Sequence, residues 1–405
     1  MKILFINSLY EPNVIGGAET ILRSHVNALK ARGIEVAVLT LDPGPGLGSD
    51  LVDGVRVWRA GLKNSYWPFG AEKPPGWRRG IWHLVDIYNP LMLGAVEEVL
   101  GAEKPDLVCT HNLAGWSAAA WSVPHRLGIP IVQVLHDPYL LCPRSNMFSN
   151  GAPCVRQCLK CRVMRLFHPH WSNQVSAVVG VSRYVLEKSV QKGYFGKVPI
   201  REVINNARDL GAPPLLASAG PKTAPGRVSF GYIGSLMASK GIELLLDSFV
   251  RRAPEGWTLL VAGSGKAEYV AQLKERYRHD RVSFIGRVAP EQFFQQVDCT
   301  VVPSIWGDTF PGVVFESFFY GVPVLGSRRG GIPEMIGEGA NGVLFDPAEP
   351  GGLERAMDQV AGEIDSWRRA APAIREQAAH FFDVAGWTER WISLYRRVLS
   401  GRSRG

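Results

Sequence analysis

The sequence predicts an α/β protein with two Rossmann-like, doubly wound parallel-sheet domains that face a cleft. Short apolar runs alternate with helical periodicity along most of the chain, which is typical of strands covered by helices on both faces. The rhythm breaks at residues 201–227, where glycine and proline are concentrated. At roughly 100–200 residues per domain, a chain of 405 residues is expected to form two domains.

The first domain is predicted over residues 1–200. Its first strand is the apolar run 3–6, and a helix is expected over residues 18–32, because Ile21, Leu22, Val26 and Leu29 recur on one helical face before Gly33. The further strands are predicted at residues 36–39, 107–109, 131–135 and 177–179.

The second domain is predicted over residues 228–380, after a linker at 201–227. Its strands are expected at residues 230–233, 259–261, 284–285, 300–302 and 322–325. Residues 381–405 are predicted to contain a helix that packs back toward the first domain, because Trp387, Trp391 and Tyr395 recur at helical spacing.

The composition excludes several classes of protein. With 46% hydrophobic and 20% charged residues, wholesale disorder is excluded. A net charge of +8 favours anionic partners but is too small to indicate nucleic acid. Six cysteines do not form a secreted disulfide framework, and neither a signal peptide nor an apolar run of membrane-spanning length is recognised. We therefore expect a cytoplasmic protein, either soluble or attached peripherally to the inner face of the membrane.

The densest signal lies at residues 303–316, which follow a predicted strand and lead into a predicted helix. Asp308 falls in the loop and Glu316 in the helix, while Phe310, Pro311 and Gly312 precede the helix start, where free N–H groups and the helix dipole favour an anion. One carboxylate can bind sugar hydroxyls and the other a ribose diol. The alternative is an ordinary strand–helix turn with one solvated and one buried acid.

This segment resembles the E-x7-E signature of the retaining glycosyltransferases of family four, which have the GT-B fold. The resemblance extends over nearly the full chain. The other matching segments are residues 16–19, 206–209, 231–241, 321–324 and 330–334. It implies that the first domain binds an acceptor, a glycan or a lipid-linked glycan. It also implies that the second domain binds a UDP- or GDP-type nucleotide-sugar, and that the sugar is transferred with retention of configuration and without a catalytic metal.

The resemblance also implies roles for particular residues. Glu316 would bind the nucleotide ribose, Asp308 would contact the donor sugar in place of the usual Glu, and Lys240 would bind the diphosphate. The remaining expected donor contacts are Gly16, Gly17, Gly234, Ser235, Arg287, Val288, Phe310, Pro311, Gly312 and Val313. Ser235 stands where the family usually has Arg, so one cationic phosphate contact is missing, and Arg208, Arg287 and Arg328 are candidates to replace it.

His136 directly follows the predicted strand 131–135. The resemblance implies a cleft histidine whose side chain or backbone carbonyl touches the donor sugar and the transition state. The alternative is a histidine satisfied within the core or loop. His111 follows the preceding strand and is a weaker candidate by the same rule.

Cys142, Cys154, Cys158 and Cys161 lie within 20 residues of one another. Four thiols so close in a cytoplasmic protein indicate a structural zinc held by thiolates, although the spacing is not a standard one. Free thiols and a disulfide pair are the alternatives.

Two segments of the first domain are basic. Residues 138–186 contain no Asp or Glu, and residues 58–88 are rich in aromatic and basic side chains, including Trp67, Phe69, Trp77 and Trp82. They suit an anionic membrane surface or a lipid-diphosphate acceptor. The alternative is a loop insertion that packs on the core.

The sequence therefore predicts a glycosyltransferase that acts in the synthesis of cell-surface polysaccharide. A nicotinamide-dependent oxidoreductase is disfavoured, because no G-x-G-x-x-G follows the first strand. The second alternative is a non-catalytic nucleotide-sugar-binding protein, or a regulatory protein with the cysteine loop held by a metal.

Overall fold

The computed structural model describes residues 1–70, 74–211, 227–252 and 254–401. The chain divides into two compact units. The first unit contains Met1–Met147, Val155–Arg208 and the chain from Asp383 onward, and the second contains Phe148–Cys154 and Asp209–Phe382. Most of the predicted linker, residues 212–226, lies outside the described residues.

The strands are defined here in chain order. They are β1 (Lys2–Ile6), β2 (Glu35–Asp42), β3 (Leu47–Val52), β4 (Val55–Gly61), β5 (Leu107–Thr110), β6 (Ile131–Leu135), β7 (Phe148–Ser149), β8 (Ala152–Pro153), β9 (Ala177–Gly180), β10 (Ile200–Val203), β11 (Val228–Leu236), β12 (Trp257–Gly265), β13 (Val282–Gly286), β14 (Cys299–Val302), β15 (Val324–Ser327) and β16 (Gly342–Phe345).

The α-helices are also defined in chain order. They are α1 (Gly17–Ala31), α2 (Gly76–Val85), α3 (Leu93–Glu103), α4 (Ser122–Arg126), α5 (Leu159–Met164), α6 (His168–Trp171), α7 (Arg183–Val190), α8 (Ile242–Arg252), α9 (Ala267–Arg276), α10 (Pro290–Phe294), α11 (Gly312–Phe319), α12 (Gly352–Gly362), α13 (Ile364–Arg369), α14 (Ala371–Gln377) and α15 (Val384–Gly401).

The first unit is built on an eight-stranded sheet in the order β10-β9-β6-β5-β1-β2-β4-β3. Its neighbouring strands are parallel except for the β3–β4 pair. The side chains of residues 3–6 in β1 are fully buried, as expected for a central strand covered on both faces. In α1, Ile21, Leu22, Val26 and Leu29 are buried, so the predicted helical face packs on this sheet.

Helix α15 belongs to the first unit, although it is the last helix in the chain. It buries Trp387, Trp391 and Tyr395. The His25 ring of α1 lies 4.5 Å from the Trp391 ring and 4.9 Å from the Trp387 ring, measured between centroids. The aromatic face of α15 therefore covers α1.

The second unit is built on a six-stranded parallel sheet in the order β13-β12-β11-β14-β15-β16. Strand β11 lies between β12 and β14, so the chain winds in opposite directions on its two sides. Ligands of such sheets bind at this reversal, outside the carboxyl ends of the strands. In the first unit, β1 has the same position between β2 and β5.

The predicted fold class, two α/β units with doubly wound sheets, is confirmed. No strand was predicted at β3, β10 or β16, which lie at sheet edges, or at β4 beside β3. For Trp82, the sequence left open a membrane-facing position and packing on the core. The structure shows core packing, because this side chain is 4% exposed and faces the core from α2. In the part of the chain that the structure describes, no helix has the length and apolar composition needed to cross a bilayer.

Candidate functional site

A cavity of about 220 Å³ lies in the second unit, where β11 and β14 end and α11 begins. It stands at the reversal of strand order, as expected for a ligand site. The lining residues are Tyr232, Ile233, Gly234, Ser235, Lys240, Val301, Val302, Pro303, Ser304, Asp308, Pro311, Gly312 and Val313. Seven of the residues predicted to bind the donor are therefore in one place: Gly234, Ser235, Lys240, Asp308, Pro311, Gly312 and Val313.

An ion pair forms part of the cavity wall. Lys240 Nζ lies 2.5 Å from Asp308 Oδ2, and the same oxygen accepts a hydrogen bond from Ser304 Oγ at 3.2 Å. The ammonium also lies 5.5 Å from the centre of the Trp306 ring, within the range of a cation–π contact. These contacts fix a positive charge at the cavity wall before any ligand arrives.

Two glycines allow the backbone to come close to this ion pair. Gly241 has φ +74°, and a Cβ there would lie 1.9 Å from the carbonyl oxygen of Pro303. Gly330 has φ +63°, and its Cβ would lie 1.9 Å from the carbonyl oxygen of Asp308. Any side chain would force these segments apart, so glycine is required at both positions.

Helix α11 begins at Gly312, and its first turn faces the cavity. Glu316 lies one turn further on, and its Oε1 would be 3.7 Å from a Cβ at Gly312, so the carboxylate reaches back toward the helix start. The Phe310 ring is buried, with its centroid 5.8 Å from that of Phe381 and 6.2 Å from that of Phe315. Only the backbone of Phe310 is therefore suited to meet a ligand.

Arg287 directly follows β13. Its Nε donates a hydrogen bond to Ser264 Oγ at 2.8 Å, and Ser264 is the register partner of Ser235 on the neighbouring strand. This contact holds the Arg287 guanidinium against β12, the strand that pairs with β11 at Ser235. Arg328, the other candidate cation in this unit, instead donates to Glu338 Oε1 at 2.7 Å. Val288 packs against the buried cluster around Phe293 and Phe294.

The predicted residues of the first unit gather at the carboxyl ends of its central strands. His111 and His136, which follow β5 and β6, share a hydrogen bond of 2.8 Å between Nδ1 and Nε2. Burial lowers the pKa of His136 to about 4, and burial raises the pKa of the adjacent Asp137 to about 7. His136 is therefore neutral near pH 7.

Gly16 and Gly17 are located at the start of α1. The N–H of Gly16 donates to Glu19 Oε2 at 2.8 Å, which satisfies one of the open donors of the helix end. A Cβ at Gly17 would meet no atom within 4 Å, so the space beside it is open. A ligand can therefore approach this backbone closely.

Three residues at these sites were not among the predicted site residues. Ser304 and Trp306 contact the two members of the ion pair, and Asp137 lies beside His136. All three follow strands directly or within a few residues, so the rule that chemistry lies after strands would have found them.

The four cysteines of the predicted zinc site differ in burial. Cys142 is buried and Cys158 is exposed, while Cys161 is intermediate and forms side-chain hydrogen bonds with both. In the described ranges, no group of three or more His, Cys, Asp or Glu side chains is placed to hold a metal ion. The structural zinc at Cys142, Cys154, Cys158 and Cys161 stays a prediction.

Comparison with known families identifies the class of protein. Residues 16–206 match the family model described as "Glycosyl transferase 4-like domain", and residues 227–363 match the model described as "Glycosyl transferases group 1". The first match covers most of the first unit and the second match most of the second. The chain belongs to the family-four glycosyltransferases of the GT-B fold.

Individual relatives agree with this assignment. The chain is 28% identical over 336 residues to an uncharacterized 42.6 kDa protein in the cps region of Klebsiella pneumoniae, covering 83% of this chain and 87% of the relative. It is 26% identical over 401 residues to the glycogen synthase of Mycobacterium tuberculosis, covering 95% and 91%.

Solved structures of the same fold cover the whole chain. The sucrose-phosphate synthase of Thermosynechococcus elongatus has a TM-score of 0.75 at 19% identity and covers 99% of both chains. The Anabaena protein HepE in complex with UDP has a TM-score of 0.70 at 19% identity and covers 98% of this chain and 100% of its own.

Proposed function

We propose that this glycosyltransferase moves a sugar from a nucleotide-sugar to a glycan or lipid-linked acceptor with retention of configuration. The observation that carries the proposal is that Lys240 and the first turn of α11 line the same cavity. A point cation and open backbone N–H groups suit a diphosphate, and the cavity lies at the expected end of the sheet.

The transfer requires the nucleoside diphosphate to leave, which builds negative charge on its phosphate oxygens. Lys240 is held by Asp308 and Trp306 before the reaction, so it stabilises that charge without reorganising. The N–H groups of Gly312 and Val313 do the same from the helix end. We assign the sugar hydroxyl contact to Asp308 Oδ1, and the ribose contact to Glu316.

Retention requires the acceptor hydroxyl to attack the anomeric carbon from the face that the phosphate leaves. The bond from that carbon to the phosphate oxygen breaks, the bond to the acceptor oxygen forms, and the hydroxyl proton passes to the departing phosphate oxygen. No side chain has to act as a covalent nucleophile. Neutral His136 would hydrogen-bond the donor sugar without adding a charge.

Arg287 is our candidate for the cation that the family usually places at the position of Ser235. Its link to Ser264 holds it on the strand that pairs with Ser235. Since Arg presents several donors in a rigid fork, it can bind a phosphate from this neighbouring position.

The donor and the biological role follow from relatives by analogy. HepE, which has the same fold, was solved with UDP and with UDP-glucose, which favours UDP over GDP as the carrier. The Klebsiella relative is named for its cps region, and this favours a role in cell-surface polysaccharide synthesis. A lipid-linked acceptor would place the protein at the inner face of the cytoplasmic membrane.

A panel of UDP- and GDP-sugars, scored for release of nucleoside diphosphate, tests the proposal. At least one donor should be turned over, and Lys240→Ala should lower turnover about 10²-fold. Lys274→Ala, an exposed lysine on α9, is the matched control and should behave like the wild type. The anomeric configuration of the product, determined by NMR, tests retention. Absence of release from every donor, or full activity of the Lys240 variant, would reject the assignment.

A further inference from the structure

Helix α2 of the first unit exposes apolar side chains along one face. Trp77 is 69% exposed, Ile81 43% and Leu84 62%. These residues are spaced by four and then three positions, so they lie in one stripe of the helix. The opposite face buries Trp82, so this stripe is directed away from the core.

Helix α5 and the turn that follows it repeat the pattern. Leu159 is 75% exposed, Val163 65% and Leu166 67%, again at spacings of four and three. Phe167 adds a ring that is 60% exposed. Met164, which lies between them, is buried and fixes the segment to the unit. A protein surface seldom exposes so many large apolar groups in adjacent positions without a partner.

The two helices that carry the stripes are neighbours and share a positive field. Arg165, which follows α5, lies with its Nη1 3.5 Å from the carbonyl oxygen of Asp86, at the end of α2. Burial, followed by the positive charges of Arg165, Lys160, Arg144 and Arg79, lowers the pKa of His83 on α2 to about 4. Positive charges from both helices, Lys160 on α5 and Arg79 on α2, therefore lower the pKa of the same histidine.

Basic side chains are also exposed on both helices. Arg78 and Arg79 on α2, and Lys160 and Arg162 on α5, are exposed. The sequence around Lys160 and Arg162, from residue 138 to 186, contains no Asp or Glu. Trp77, Ile81, Leu84, Leu159, Val163, Leu166 and Phe167, with these four cations, are called the α2–α5 surface below.

We propose that the α2–α5 surface docks on an anionic lipid bilayer. Apolar side chains enter the boundary between headgroups and acyl chains, and the exposed Arg and Lys meet the negative headgroups. An acidic protein partner would satisfy the cations, but it would leave scattered side chains on two short helices to be matched one by one. A bilayer takes all of them at once, because its apolar layer is continuous.

Vesicle flotation, without any nucleotide-sugar, tests this proposal separately from the proposed function. The full chain should float with vesicles of phosphatidylcholine and phosphatidylglycerol, and much less with phosphatidylcholine alone. Binding should fall as salt is added, because the headgroup attraction is screened. Leu159→Ser combined with Leu166→Ser should weaken the partition coefficient about tenfold or more.

Matched variants separate docking from general effects. Leu51→Ser removes an apolar side chain of comparable exposure, 71%, from β3, and should leave flotation unchanged. Lys160→Ser should weaken binding about fivefold, the factor expected for one basic residue near an anionic surface, whereas Lys192→Ser after α7 should not. Thermal melting confirms that each variant is folded.

Two results would overturn the proposal. One is that the double variant Leu159→Ser, Leu166→Ser floats with the vesicles as well as the wild-type protein does. The other is a self-associated wild-type protein that the same substitutions convert into monomers while vesicle binding persists, which would make the surface an interface between copies. Failure of donor turnover would count against the proposed function alone, because flotation does not depend on it.

Discussion

Lys240 Nζ lies 2.5 Å from Asp308 Oδ2, although 68 positions separate the two residues in the chain. The lysine side chain is 27% exposed and the aspartate 8%, so water screens the pair only partly. Removing one partner leaves the charge of the other poorly compensated. The two side chains should therefore behave as one unit in binding and catalysis.

The first prediction follows from this coupling. Lys240→Ala and Asp308→Ala should each lower kcat/KM for donor turnover about 10²-fold, because each variant disorders the remaining charge at the cavity wall. The double variant should lose far less than the product of the two losses. Steady-state assays of the four proteins complete the cycle. Losses that multiply would show that the residues act independently.

The second prediction concerns Glu316, whose carboxylate reaches back toward Gly312 at the helix start. Glu316→Ala should weaken binding of the nucleoside diphosphate at least tenfold, since hydrogen bonds to a charged group are worth about 1.5–3 kcal/mol. Isothermal titration calorimetry measures the change. Glu291→Ala, on the exposed side of α10, is the control. Equal affinities in both variants would remove Glu316 from the ribose site.

The third prediction separates backbone strain from crowding. Gly330 and Gly339 have similar φ angles, +63° and +75°, but only Gly330 faces an atom, the carbonyl oxygen of Asp308 at 1.9 Å from its Cβ position. Gly339→Ala should cost about 1 kcal/mol of unfolding free energy for the left-handed backbone alone. Gly330→Ala should cost several times more and also lower donor turnover. Urea unfolding measures the free energy of unfolding of both variants. Equal losses of stability would show that the Asp308 carbonyl oxygen does not crowd a Cβ at Gly330.

The strands and helices that could be predicted from the sequence are those with strong local patterns. The apolar run 3–6 and the periodic face of α1 each carry their own signal, and Gly33 marks the end of the helix. Strand β3 carries none, because its residues are mostly exposed at the edge of the sheet and its few apolar residues form neither a run nor an alternating pattern. An edge strand is stabilised by its neighbour rather than by its own composition.

In the candidate site too, local motifs could be predicted from the sequence, whereas contacts between distant segments could not. Asp308 and Glu316 could be assigned from one contiguous motif and its resemblance to a family. The contact of Lys240 with Asp308 could not, because it depends on how β11 and β14 pair in the sheet. The contact of Arg287 with Ser264 likewise depends on two strand ends that are distant in sequence. The position of Trp82 was left open by the sequence, because an aromatic residue in an amphipathic helix can pack on the core or face a membrane, and its burial is set by the tertiary packing of α2.

The fourth prediction concerns the pH dependence of stability. Asp86 is 1% exposed, and its carboxylate accepts hydrogen bonds from Gly115 N at 2.6 Å and from Tyr139 Oη at 2.7 Å. Burial raises the pKa of Asp86 to about 7, against the positive charge of Arg165 and these bonds, which lower it. In the unfolded chain the carboxyl has its ordinary pKa, so between about pH 4 and 7 the folded protein binds the extra proton.

The sign of the effect follows from this difference. Folding is favoured by the bound proton at low pH, and that advantage is lost as the pH rises toward 7. Asp86→Asn keeps an acceptor for Gly115 and a donor for Tyr139 but cannot ionise. The unfolding free energy of the variant relative to the wild type should therefore rise by about 2–3 kcal/mol from pH 5 to pH 8. Urea unfolding at several pH values measures it, and parallel curves for the two proteins would show that Asp86 is ionised throughout.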